Sequence, residues 1–166
     1  MLRPVEAPYL LREPYVKVNP FDYSFAMATD VKTTTAQNLA RYTLGTFMVG
    51  AGIGHLTFVR RPFQAQVPDW VPQDKDTVVL ESGVVEIGLG LLMLFNKRYK
   101  VPMGVGLAAF YTAIFPGNIH QYLSRLPALN LDTERKRYLR LFFQPVLVGL
   151  ALWSTGVFNK KSEASR

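Results

Sequence analysis

The sequence predicts an all-α protein, specifically an integral membrane four-helix bundle with up-down topology. Three observations predict it. Four apolar runs, at residues 39–59, 77–95, 101–123 and 141–158, are each close to the ~20 residues that carry a helix across a ~30 Å hydrocarbon core. Basic pairs and clusters stand near the ends of those runs: Arg60-Arg61, Lys97-Arg98 with Lys100, Arg135-Lys136-Arg137 and Lys160-Lys161. Long cationic side chains reach lipid headgroups from such positions. The mean hydropathy of the whole chain is close to zero, but only because polar segments alternate with these four runs.

The chain opens with a polar arm, residues 1–38, punctuated by Pro4, Pro8, Pro14 and Pro20. Proline at that density opposes a long helix. Tyr9, Leu10, Leu11, Tyr15, Val16, Phe21, Tyr23 and Phe25 give it apolar anchors. It reads either as a tail without fixed structure lying on the surface or as an extended arm docked on a partner protein. No part of it is apolar over the length of a secretory h-region, so the first span is expected to direct insertion.

The first span, 39–59, has helix-capping residues before it, between Thr33 and Asn38. Gly50 and Gly54 form a Gly-xxx-Gly pair, the spacing that lets a neighbouring helix approach closely in lipid. A proline-rich connection with Trp70 follows and is expected to lie in the headgroup layer. Asp76 is placed to cap the second span, 77–95. In the third, 101–123, Pro116 is expected to kink or end the helix near Phe115. The fourth, 141–158, carries Pro145 in its first turns, where proline costs least, and is followed by a basic tail, 159–166. Both long connections then fall on one side of the bilayer. The termini share the other with the short link near Lys97, and that side holds the larger part of the 19 Lys and Arg, which favours cytoplasmic termini.

The formal charge of +7 is spent at span ends, so nucleic acid is not expected as a partner. The lipid bilayer is, together with other membrane subunits reached through the arm. With no cysteine, thiol chemistry, disulfides and iron–sulfur clusters are excluded for the chain itself.

Polar residues inside apolar spans point to function because hydrocarbon makes them costly. Six candidates follow: His55, Glu81, Glu86, Asn118, His120 and Gln144. At ~1.5 Å per residue, His55, Glu81, His120 and Gln144 each fall ~5–6 Å from the long-loop end of their spans, one from each helix, in a single layer. Asn118 is slightly deeper and Glu86 lies near the midplane. Glu86 and Glu81 differ by ~140° around the helix and cannot face the same point. Thr46, Tyr111 or Thr112 are the expected partners of Glu86. The layer serves either as hydrogen-bonded glue between helices or as a pocket for a small headgroup such as a quinone carbonyl. A metal site or a bis-histidine haem ranks lower, and no metal is assigned. A proton channel built on Glu86 ranks last.

Read in order, Gly52-Ile53-Gly54-His55, the Val-Pro-Asp-Trp-Val-Pro run at 67–72, the Glu-Ser-Gly-Val-Val-Glu run at 81–86, the Ile-Phe-Pro-Gly-Asn-Ile-His run at 114–120 and the Leu-Arg-Leu-Phe-Phe-Gln-Pro run at 139–145 resemble the DoxX family of small four-helix membrane proteins. The long arm and Phe143 depart from its pattern. The resemblance implies a place in the bacterial cytoplasmic membrane and a link to quinone-coupled or redox assemblies. The expected role is a non-catalytic accessory subunit of a respiratory or redox-linked complex. The alternative is a quinone-binding subunit using the layer of His55, Glu81, His120 and Gln144.

Overall fold

A computed structural model describes residues 31–159; the arm up to residue 30 and the tail from residue 160 lie outside the described residues, and with them most of the two terminal segments singled out above. The described residues form helices and no strands. In order these are α1 (Thr35–Leu56), the short α2 (Arg60–Phe63), a 3-10 turn (Gln64–Gln66), α3 (Lys75–Phe95), α4 (Lys100–Leu123) and α5 (Glu134–Ser154).

Each long helix has a local reason to start where it does. Thr34 caps α1 through a reciprocal capping box, its hydroxyl accepting from Gln37 N (3.2 Å) while Gln37 Oε1 accepts from Thr34 N (2.9 Å). The cap of α3 is Asp74, which accepts from Thr77 N, rather than the expected Asp76. Asp76 is held by Arg60 and Gln64 instead. Thr133 caps α5, which therefore begins well before residue 141, with its charged first turns already helical. Hydropathy misses those turns because they are polar; helix propensity and the cap decide them. Pro145 consequently sits in mid-helix. Pro116 does not end α4, which runs unbroken to Leu123.

The four long helices pack as antiparallel neighbours, α1 on α3 and α4 on α5, and the two pairs meet through α1 with α5 and α3 with α4. The buried residues of α3 are Val79, Gly83, Glu86, Gly90 and Met93, a strict alternation of four and three. That is the seam of left-handed coiled-coil packing. Gly45 and Gly52 of α1 face Gly90 and Gly83 of α3. A Cβ on Gly52 would stand 2.5 Å from Gly83 O, and one on Gly90 would stand 2.7 Å from Gly45 O. The helices touch backbone to backbone there, which only glycine permits. Gly50 meets nothing and Gly54 meets only the following Phe58 and Val59. The close approach thus uses glycines seven apart, not the Gly50/Gly54 pair.

Met48, Met93, Leu107, Tyr111, Leu147 and Ala151 are central to the apolar core. Buried beside them are Gln37, Arg41, His55, Glu86, Asn118, Gln121, Arg137 and Gln144, whereas Leu39, Phe47, Ile53, Val84, Leu92, Phe95, Val105, Leu139, Phe142, Phe143 and Val146 face outward. Arg41, which reads as an interfacial cation in the sequence, is 1% exposed and donates to Met93 O. By length and composition, α3 alone among the helices of the described residues is apolar enough to cross a membrane; α1 joins it only if counted together with residues 60–66, from which it is bent by 99°. The inward-facing polar residues of α1, α4 and α5 lower their average apolarity.

Candidate functional site

At Thr57 the chain leaves α1 with non-helical dihedrals, and the Thr57 hydroxyl donates back to Ile53 O at 2.6 Å. The bend lays residues 60–66 across one end of the bundle. Gly117 of α4 lets the Gln66 backbone settle against it, in a gap that a Cβ would fill. The Gln66 amide donates to Gln121 Oε1 at 2.9 Å or, turned over, accepts from the Arg140 guanidinium at 3.1 Å. Gln121 in turn donates to Leu126 O and Ala128 O, tying down the connection before α5. Both long connections thus meet at one end of the bundle.

Beneath this cover lies a cavity of about 280 Å³, walled by all four long helices. Its apolar lining includes Phe47 and Met48 of α1, Phe63 of α2, Val79 of α3, Ile114 of α4 and Leu147 of α5. Its polar lining is His55, Glu86, Tyr111, Arg140, Gln144, Ser82 and Gln66.

His55 Nδ1 stands 2.8 Å from Glu86 Oε2, both side chains almost wholly buried. The pair is within ionic reach but out of line for a hydrogen bond, so both imidazole nitrogens and Glu86 Oε2 lack an aligned partner. Ser82 donates to the other Glu86 oxygen only at 3.5 Å. The Tyr111 hydroxyl is also buried and unpartnered. Phe63 closes the far side of His55 edge-on, with ring centroids 3.8 Å apart and planes at 77°. On the opposite wall, Gln144 donates to Tyr111 O at 2.6 Å and accepts from Asn118 at 3.0 Å, while Arg140 Nε donates to Asn118 Oδ1 at 3.1 Å.

Of the six candidates, the structure therefore unites His55, Glu86, Asn118 and Gln144 around one cavity or its wall. It does not bring in Glu81, which is exposed and accepts from Gln73 at 2.9 Å, nor His120, which is half-buried and outside the cavity lining. Depth along the helix had placed them in the layer, but rotation about the axis turns them away, and the seam passes through Glu86. Residues missed by the reading for polar groups within spans are Arg140, Gln66 and Gln121. Arg140 had a signal: it stands four residues before Gln144, on the same helical face. Among the described residues no three His, Cys, Asp or Glu side chains converge to hold a metal.

The family profile of the domain of unknown function DUF8561 matches residues 44–155, the greater part of the chain and every residue that lines this cavity. The chain belongs to that family. The match overturns the DoxX resemblance. Short runs of Gly, Pro and one polar residue arise wherever helices pack closely around a polar pair, and five of them in order did not identify the family. No curated protein and no solved structure matches the chain. The DUF8561 assignment carries no activity, so the site must speak through its own chemistry.

That chemistry is restricted in kind. Four buried polar atoms on three residues, without aligned partners, belong to the lining of a largely apolar cavity, where each such atom costs about 1–3 kcal/mol. A ligand carrying a hydrogen-bonding head on an apolar body would satisfy them. The close imidazole and carboxylate can also hold a proton between them.

Proposed function

We propose that this DUF8561 protein is a multi-pass membrane protein whose helix bundle encloses a binding site for a small amphipathic molecule. One observation carries the binding reading: His55, Glu86 and Tyr111 bring to a cavity of about 280 Å³ buried polar atoms that make no hydrogen bond. Pockets for small molecules are of this kind, mostly apolar with a few converging polar groups. The membrane reading is supported by the inversion of polarity: arginine, histidine, glutamate and amide side chains are buried, while large apolar residues of α1, α3, α4 and α5 face outward. Lipid is the surrounding that such an outward apolar face suits. The inward polar residues explain why composition alone selects a single helix.

The respiratory placement rested on the DoxX resemblance and falls with it. The accessory-subunit role rested on small size, the lack of an obvious catalytic set and the aromatic-rich arm, most of which lies outside the described residues. The quinone carbonyl remains one headgroup that the polar wall could accept.

Two measurements test the proposal. Washing membranes with alkaline carbonate should leave the chain in the pellet; its release would end the membrane reading. Native mass spectrometry of the protein released from mild detergent should show a bound small molecule. That adduct should disappear in Ala51→Trp, which fills the cavity from α1. An adduct unchanged by Ala51→Trp, or none from wild-type protein, would refute the binding reading.

A further inference from the structure

Arg140 is the cavity group whose chemistry the proposed site leaves unexplained. Its guanidinium lines the cavity, with Nε committed to Asn118 and its outer edge within reach of Gln66. Arginine remains charged in proteins. Yet among the described residues no Asp or Glu pairs with it; the ion pairs are His55–Glu86, Arg60–Asp76, Lys75–Asp69 and Lys136–Asp132. Glu86, the one carboxylate lining the cavity, is engaged with His55 at 2.8 Å on another helix. A cation at an apolar cavity without a counter-ion is costly unless an anion arrives with the ligand. The planar guanidinium fork matches a carboxylate.

The rim shows where such a ligand comes from. Phe47 of α1 and Phe143 of α5 both line the cavity, and both are half exposed on the outer apolar face, at 54% and 52%. Since α1 and α5 are neighbours, these two rings mark a lateral way in from the outer apolar face. The cavity, about 280 Å³, is near the lower end of the ~300–1,000 Å³ usual for small-molecule pockets, a size for the head and first carbons of a chain rather than for a whole lipid.

Building on the proposed site, we infer that its ligand is an acidic single-chain amphiphile, a fatty-acid-like carboxylate. It enters laterally past Phe47 and Phe143 and sets its carboxylate on Arg140. The buried His55, Glu86 and Tyr111 then face the chain's proximal end and favour a further hydroxyl or carbonyl there.

The test uses the full chain in nanodiscs of neutral phosphatidylcholine at roughly pH 8, where a carboxylic acid is ionised. Saturable binding of radiolabelled decanoate and decanol is compared by scintillation proximity, with empty discs subtracted. Decanoate should bind at least roughly tenfold more tightly than decanol. Arg140→Gln should remove that preference, Arg140→Lys should keep part of it, and Lys136→Gln, on the exposed first turns of the same helix, should leave it intact. Saturable binding with equal affinities for acid and alcohol would overturn the carboxylate assignment while leaving the cavity reading in place. If neither binds saturably, the cavity reading falls as well. The wild-type comparison decides the question even if Arg140→Gln does not fold.

Discussion

The α1–α3 and α4–α5 seams join antiparallel helices by different means. Along α1–α3, glycines at 45, 52, 83 and 90 bring backbones together, and one buried histidine–glutamate pair spans the gap. Along α4–α5 a glycine contact appears only toward one end, where a Cβ on Gly104 would stand 2.9 Å from Ala151 O, and beside the cavity side-chain amides do the joining: Asn118, Gln144 and Arg140 form a chain of hydrogen bonds that ends on Tyr111 O. The first seam has no slack, because a glycine contact either fits or clashes. The second is made of rotatable groups that can exchange partners. The cavity lies between the two, so a rigid wall faces an adaptable one, an arrangement suited to holding a small molecule without a large change of shape.

Substitutions can break this contrast. The largest effect is expected at the buried pair: Glu86→Ala or His55→Ala should destabilise by about 3 kcal/mol, since each leaves its partner buried and alone. The double substitution should cost less than the sum of the singles in a thermal-unfolding cycle in mild detergent. Strict additivity would mean that the pair is not coupled. Next, Gly52→Val should cost about 2 kcal/mol or more by forcing a side chain into the α3 backbone, while Gly50→Ala, in open space, should be neutral or slightly stabilising. Equal losses at both positions would mean that the close contact at Gly52 is not what makes the α1–α3 seam rigid.

On the adaptable seam, Gln144→Leu should cost only about 1 kcal/mol, because interhelical hydrogen bonds are individually weak in bundles of this kind. A loss as large as that at Gly52 would show that this seam is rigid too. The smallest effect belongs to the connections. Lys75 and Lys136 donate to Asp69 and Asp132 at 2.6 Å and hold both carboxyls below their ordinary range. A depressed carboxyl contributes stability above its unfolded pKa, about 4, and loses that contribution as the pH falls through its lower folded value. Acid titration of Tm should therefore show a small decline below about pH 4, reduced in Lys136→Gln and weakened by salt.

Four long helices were legible in the chain because apolar runs report helices that hide or expose a greasy face. The runs did not give the start of α5, whose charged turns become helical from the Thr133 cap. Part of the candidate site was legible as well. Polar residues within apolar runs identified His55, Glu86, Asn118 and Gln144, but also Glu81 and His120, because depth was known and azimuth was not. The four-three spacing of Val79, Gly83, Glu86, Gly90 and Met93 is a signal that favours Glu86 over Glu81 from sequence alone. The DoxX motifs misled because helix-packing glycines and prolines recur across unrelated bundles.

The sequence by itself determined that the chain is helical, where the long helices run and which few polar groups must be accounted for among apolar neighbours. These are properties of local propensity and periodicity. Only the tertiary structure decided that His55 meets Glu86, that among the described residues no carboxylate pairs with Arg140 beside the cavity and that residues 60–66 fold over one end of the bundle. Those facts depend on how each helix is rotated about its axis and on a bend at Thr57. Rotation is set by the close contact of glycines on two different helices, a relation between distant segments that no single stretch of chain contains.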